Sequence, residues 1–281
     1  MIIGKVEIEN ALAYYGFDGI DKDSLFHCID TVKDNVNVEN VINQMYFAPY
    51  ETLEALYGKY SKELMFWEGV PASVPFIVFL LGASEHIKSC KKYGFDDNQI
   101  AIQKEKIREC GEIYLNSGNT TALAWSANFV RGKLLQIGRL QFQYLCGDKD
   151  NATVHIHIPG GAPLDNGLVT KAISSSGHYL NKYYGITNAC FKCDSWLLSP
   201  ELQAYLSPSS NIHRFSDMFD VESGEDALRD IRWNLYHTTD NFAPLEQSTS
   251  LQIAVKKAID SGVRFHNGIG TLKVEYAPSF N

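Results

Sequence analysis

The sequence predicts an α+β protein: a helical N-terminal domain over residues 1–120 and an α/β sheet domain over residues 121–281. Three observations carry this. Apolar residues recur at helical spacing through the first half, with almost no strand pattern. Alternating apolar segments appear only after residue 130. From residue 153 a strand, a helix and a second strand follow one another, the order that favours a parallel pair with a right-handed crossover.

The helical half is read element by element. Ile8 to Tyr15 is short and amphipathic, and Asp21 to Asp34 sets Leu25, Cys28, Ile29 and Val32 on one face. Tyr50 to Tyr57 and Tyr60 to Phe66 continue the pattern. Val74 to Tyr93 predicts a helix closed near Gly94, and Asp96 or Asp97 caps a long helix that ends near Ser117 and Gly118. The most apolar run, Val70 to Ala83, is interrupted by Pro71 and Pro75 and falls short of the ~20 apolar residues a bilayer span needs. A buried core helix is expected there, with no membrane as partner.

In the second half, Leu134 to Leu145 reads as paired strand material around Gly138. Thr153 to Ile158 alternates strictly, with Val154, Ile156 and Ile158 on one face and Thr153, His155 and His157 on the other. Leu168 to Tyr184 is an amphipathic helix stopped by Gly185. Ala189 to Leu198 is a strand, and Pro200 to Leu206 a short helix with Ser199 as its cap. Asn211 to Val221 reads as a strand, Leu251 to Ile259 as a helix and Gly268 to Tyr276 as a last strand.

The balance of charges excludes some partners. A net charge of −8 with no Lys/Arg block argues against nucleic acid. The start MIIGKVEIEN lacks a basic and then apolar leader, so the expected location is the cytoplasm and the six cysteines are expected to be reduced. Oligomeric state leaves no mark in the sequence.

The chemistry points to one turn. Pro159, Gly160, Gly161 and Ala162 join the alternating strand directly to a helix, with Leu164 at its opening. Bare N–H groups at a helix N-terminus are where phosphate groups bind. The turn has no basic residue of its own before Lys171. A His-x-His pair (His155, His157) and a Cys-x-x-Cys pair (Cys190, Cys193) invite a zinc reading. Residues three apart on one strand point to opposite faces, which argues against four ligands around one ion, and no metal is expected. The same His-x-His in a cupin barrel would be followed by strands and a glutamate, whereas a helix and Asp165 follow here.

GRLQFQ (Gly138 to Gln143), VHIHIPGGAPL (Val154 to Leu164), CDSWLLSPEL (Cys193 to Leu202) and SSNIHRF (Ser209 to Phe215) occur in that order. The series resembles a bacterial acyltransferase family with a helical N-terminal region and a GNAT-like C-terminal domain, over roughly residues 60 to 280. The resemblance implies a GNAT-like mixed-sheet α/β domain and transfer of an acyl group from acetyl-CoA or another acyl-CoA to an amine, on a small molecule or a peptide. It implies that Pro159, Gly160, Gly161, Ala162 and Leu164 line the CoA pyrophosphate, and that Ile156 to Ile158 is the place to look for the backbone oxyanion donor. His157 is the candidate base, since an imidazole with a pKa of ~6.5 suits proton transfer near neutrality. Tyr205 is the candidate acid for the departing thiolate. The alternative is a catalytically inactive binding protein that keeps the fold.

Overall fold

The computed structural model describes residues 4–33, 42–46, 73–236, 238 and 244–280. The segments Tyr50 to Tyr57 and Tyr60 to Phe66 lie outside the described residues. The chain divides into two compact units, Met1–Leu135 and Gln136–Asn281.

The first unit is helical: α1 (Lys5–Tyr15), α2 (Lys22–Lys33), a turn of helix at 42–46, α3 (Ser73–Tyr93), α4 (Asp97–Ser117) and α5 (Thr120–Val130). α3 is the hub, in contact with α1, α2, α4 and α5. Its apolar run Val74 to Leu80 is buried on every side, with Ile77, Phe79 and Leu80 fully inaccessible. No helix among the described residues is long and apolar enough to cross a membrane. The predicted punctuation holds: Asp96 accepts from the Gln99 N–H, and Gly118 closes α4 in the left-handed region at φ 69°. The sequence reading has no counterpart for α5 (TTALAWSANFV), in which polar Thr120, Ser126 and Asn128 are buried along with the apolar residues and blur the division into two faces.

The second unit is built on a mixed six-stranded sheet in the order β1-β2-β3-β4-β6-β5. Its strands are β1 (Leu134–Ile137), β2 (Leu140–Cys146), β3 (Ala152–His157), β4 (Ala189–Ser195), β5 (Phe219–Asp226) and β6 (His266–Leu272). β1 begins at the junction of the two units. β2 and β3 are antiparallel, β3 and β4 are parallel, and β6 runs antiparallel to β4 and β5. The parallel pair is joined by α6 (Asn166–Tyr184), as the strand–helix–strand order predicts. Asp165 caps α6 through the Leu168 N–H, and Gly185 ends it at φ 68°.

Alternation sorts the sheet into two faces. Phe142, Val154, Ile156, Phe191 and Cys193 are buried on one. The other is polar, carrying Gln141, Gln143, His155, His157, Lys192 and Asp194. α6 turns its buried Val169, Ala172, Ile173 and Leu180 inward and contacts β2. The C-terminal segment crosses α6 at Gly177, where a Cβ would collide with the Ser279 carbonyl, and seats Phe280 on Phe191.

Several boundaries differ from the sequence reading. β4 ends at Ser195, whose hydroxyl accepts from the Leu197 N–H and opens a 3-10 turn at Trp196–Leu198. The next helix, α7 (Pro200–Gln203), stops short of Leu206, although Ser199 caps it as expected. Asn211 to Val221 is a helix and then a strand: α8 (Asn211–Ser216) is capped by Ser210 through the His213 N–H, and β5 starts only at Phe219. Six residues are too few to show a helical period, so the cap is the only local signal. α9 (Leu228–Tyr236) has no counterpart in the sequence reading, whereas α10 (Ser250–Asp260) does. β6 ends at Leu272, before a 3-10 turn at Val274–Tyr276.

Candidate functional site

The site begins where the parallel pair stops being a pair. β3 and β4 are matched from Ala152↔Ala189 to His155↔Lys192. Beyond that point β3 keeps only its β2 partners, Ile156↔Phe142 and His157↔Gln141. β4 keeps only its β6 partners, from Lys192↔Thr271 to Ser195↔Gly268. The two strands part at their carboxyl ends and leave a notch with an unpaired backbone edge on each lip. In an open α/β sheet this end is where ligands bind.

The glycine turn sits directly at the notch. β3 ends at His157; Ile158 and Pro159 follow, and the chain turns through Gly160, Gly161 and Ala162 to the cap of α6. Gly161 takes φ 87°, a conformation that L side chains rarely adopt. A Cβ added at Gly160 or Gly161 would meet no atom within 4 Å, so the turn is open on that side. Leu164 is buried and anchors the turn before the Asp165 cap.

A side chain from elsewhere in the sequence holds this turn. Arg139, in the β1–β2 hairpin, donates from Nη1 to the Pro159 carbonyl at 2.7 Å, from Nη2 to the Ala162 carbonyl at 2.6 Å and from Nε to the Pro163 carbonyl at 3.0 Å. In a trans peptide C=O and N–H point opposite ways. The N–H groups of Gly160 and Leu164 therefore point away from the guanidinium, and the third peptide ends in a proline with no N–H. Among the described residues no hydrogen bond engages the N–H of Gly160, Gly161, Ala162 or Leu164.

His157 lies on the polar face of the β3 lip. Its Nε2 is 2.7 Å from Gln143 Oε1, and the ring centroids of His155 and His157 are 6.2 Å apart. An amide oxygen only accepts, so Nε2 carries the proton and Nδ1 is left as the basic nitrogen. Burial, and then the neighbouring His155, lower its pKa to about 3. Asp194, on the same face of the β4 lip, has its carboxyl pKa raised by burial, with Asp230 and Glu225 adding to the rise and His155 opposing it. Ile156 places its side chain in the apolar layer and its backbone in the unpaired stretch of β3.

The other predicted residues are placed as follows. Tyr205 lies in the turn after α7, half-buried against the cluster of Leu202, Ile231 and Val255. Cys190 is exposed and Cys193 buried, on opposite faces of β4. Among the described residues no three His, Cys, Asp or Glu side chains are grouped to hold a metal ion. The sequence reading missed Arg139, which lies 20 to 24 residues before its three partners and carries no local signal of the contact. It also missed the pairing of Glu201 with His266, in which the carboxylate accepts from His266 Nδ1 at 2.9 Å, the His266 N–H at 3.3 Å and Ser199 Oγ at 2.8 Å.

Comparison with known proteins agrees with this architecture. The family model described as "GNAT-like C-terminal domain" matches residues 134–272. No curated protein matches the chain. Among solved structures, an acyltransferase in complex with decanoyl-CoA is 17% identical, with a TM-score of 0.66 over 97% of this chain and 89% of that one. An acyltransferase in complex with CoA and 10C-teicoplanin is 18% identical, with a TM-score of 0.64 over 97% and 90%. A third, in complex with decanoyl-CoA and teicoplanin, is 19% identical, with a TM-score of 0.59 over 95% and 99%. At these identities the likeness is one of fold. The likeness to the GNAT-like C-terminal domain family model is confined to residues 134–272, the sheet-bearing half of the chain.

Proposed function

We propose that the protein is an acyl-CoA-dependent acyltransferase that moves an acyl group to an amine on a small molecule or peptide. The observation that carries this is the notch between β3 and β4, opening beside a turn of unengaged amides. The two features suit the two halves of CoA. Gly160, Gly161, Ala162 and Leu164 offer N–H donors to the pyrophosphate at the N-terminus of α6, with Pro159 setting the entry to the turn. The pantetheine arm, an extended chain with two amides, runs along the unpaired β3 edge as an added strand would. This places the thioester beside Ile156 to Ile158, where a backbone N–H meets the developing oxyanion.

In this reading an uncharged amine attacks the thioester carbonyl and a C–N bond forms. His157 Nδ1 takes the proton from the nitrogen once it has become acidic in the tetrahedral intermediate. The C–S bond then breaks, and Tyr205 is the proposed proton donor to the thiolate. The fold neighbours hold decanoyl-CoA and teicoplanin, so medium-chain donors and bulky amine acceptors belong in the first screen beside acetyl-CoA. One observation favours the non-catalytic alternative: with its pKa lowered to about 3, His157 is a weak base. Saturable CoA binding without transfer to any amine would support that reading.

The test is Gly160→Glu, at a position where an added Cβ meets no atom within 4 Å. It is expected to abolish CoA binding with the thermal midpoint unchanged. Unchanged CoA affinity would overturn the assignment of the turn.

A further inference from the structure

The glycine turn lacks a cation of its own before Lys171, yet a charged group stands against it. Resting on the reading of this turn as the pyrophosphate site, we infer that Arg139 is the positioning residue of the CoA site. It holds the turn from behind so that its amides face the ligand, and it supplies the positive charge that the turn lacks.

The geometry carries this. Three of the five guanidinium N–H groups are used, each on a different carbonyl of one five-residue turn, at 2.6, 2.7 and 3.0 Å. A planar guanidinium presents these donors from three nitrogens in a fixed fork, whereas the three donors of an ammonium share one nitrogen at the end of a flexible stem and fix the acceptors less firmly. The consequence for the other side follows from peptide geometry. Fixing the Pro159 and Pro163 carbonyls on Arg139 aims the Gly160 and Leu164 N–H groups away from it. Glycines without such a hold would sample many orientations, and binding would have to meet that ordering cost. Among the described residues no carboxylate forms an ion pair with Arg139. Its charge therefore remains available to an anion at the head of α6, in a chain whose net charge is −8.

The experiment measures the affinity of Arg139→Gln and Arg139→Lys for CoA and for pantetheine, which has no pyrophosphate, with backbone 15N order parameters of residues 158–166 in the free proteins. Arg139→Gln is expected to weaken CoA at least tenfold, leave pantetheine within twofold and lower the order parameters of the turn. Arg139→Lys keeps the charge and guards against a misfolded Gln variant; it is expected to recover part of the affinity but not the order of the turn. Wild-type affinity for CoA in Arg139→Gln, or equal losses for CoA and pantetheine, would overturn the inference and leave the CoA reading standing. Failure of the wild-type protein to bind CoA would overturn both.

Discussion

His155 faces Lys192 in the last pair that β3 and β4 share. One residue further on, the strands follow different neighbours, so His157 and Asp194 stand on the same face but on opposite lips of the notch. The proposed chemistry rests on this separation, which frees backbone on β3 without unfolding either strand.

Replacing His157 by Ala is expected to lower turnover by about 10²-fold or more, the usual worth of a positioned base. CoA affinity should stay close to wild type, because the turn and Arg139 are untouched. Steady-state kinetics and calorimetry on the same preparation check both. Equal losses in turnover and CoA affinity would point to a structural role.

The pH dependence of stability has a definite sign. His157 titrates at about 3 in the folded chain and His86 at about 4, both lowered chiefly by burial, against ~6.5 when unfolded. Between these values the unfolded chain binds more protons, so stability falls as pH drops from ~6.5 toward 3. Glu201 adds a loss of the same sign at lower pH: its hydrogen bonds to His266 and Ser199 outweigh its burial and hold its pKa at about 2, below the ordinary 4.5. Its contribution is complete above 4.5 and disappears as pH falls through 2. Thermal midpoints from pH 7 to 4 should decline in wild type and less steeply in His157→Gln.

Glu201 ties α7 to β6 through His266 and accepts from the hydroxyl of Ser199, the cap of its own helix. Glu201→Ala should destabilise the protein by about 1.5–3 kcal/mol, as loss of hydrogen bonds to a charged group does. Urea unfolding measures this; a midpoint equal to wild type would mean that the cluster holds nothing in place.

The two turn glycines should respond differently to alanine. Gly161→Ala is strained by φ 87° and should cost about 1 kcal/mol in the free protein, while Gly160→Ala should cost far less. If both amides face the pyrophosphate, both substitutions should still weaken CoA, since each adds a methyl on the open side of the turn. Thermal unfolding with and without CoA separates the two effects.

Local chemistry was legible in the sequence; distant partnership was not. Asp96 and Ser199 announce helix starts because a cap acts on the N–H three residues ahead, and Gly118 and Gly185 mark ends for the same local reason; the cap of α6, Asp165, is absent from the sequence reading, which starts that helix two residues late at Leu168. The parallel β3/β4 pair follows from the strand–helix–strand order. α8 was misread because six residues show no period and Ile212 and Phe215 suit a strand equally well. Arg139 stood inside a quoted motif, but its hold on the turn depends on a hairpin folding back across 20 residues or more. The same holds for Glu201 and His266, 65 residues apart. The lowered basicity of His157 depends on burial, which a strand pattern does not report.

The most direct test is thermal unfolding of the pure protein with and without CoA and acyl-CoA. Ligand at ~100 times its dissociation constant should add about 2.7 kcal/mol to stability, seen as a saturable rise in the midpoint. That result is expected if the glycine turn and the notch form a CoA site. No shift at millimolar CoA would contradict it and leave the sheet unit with some other ligand.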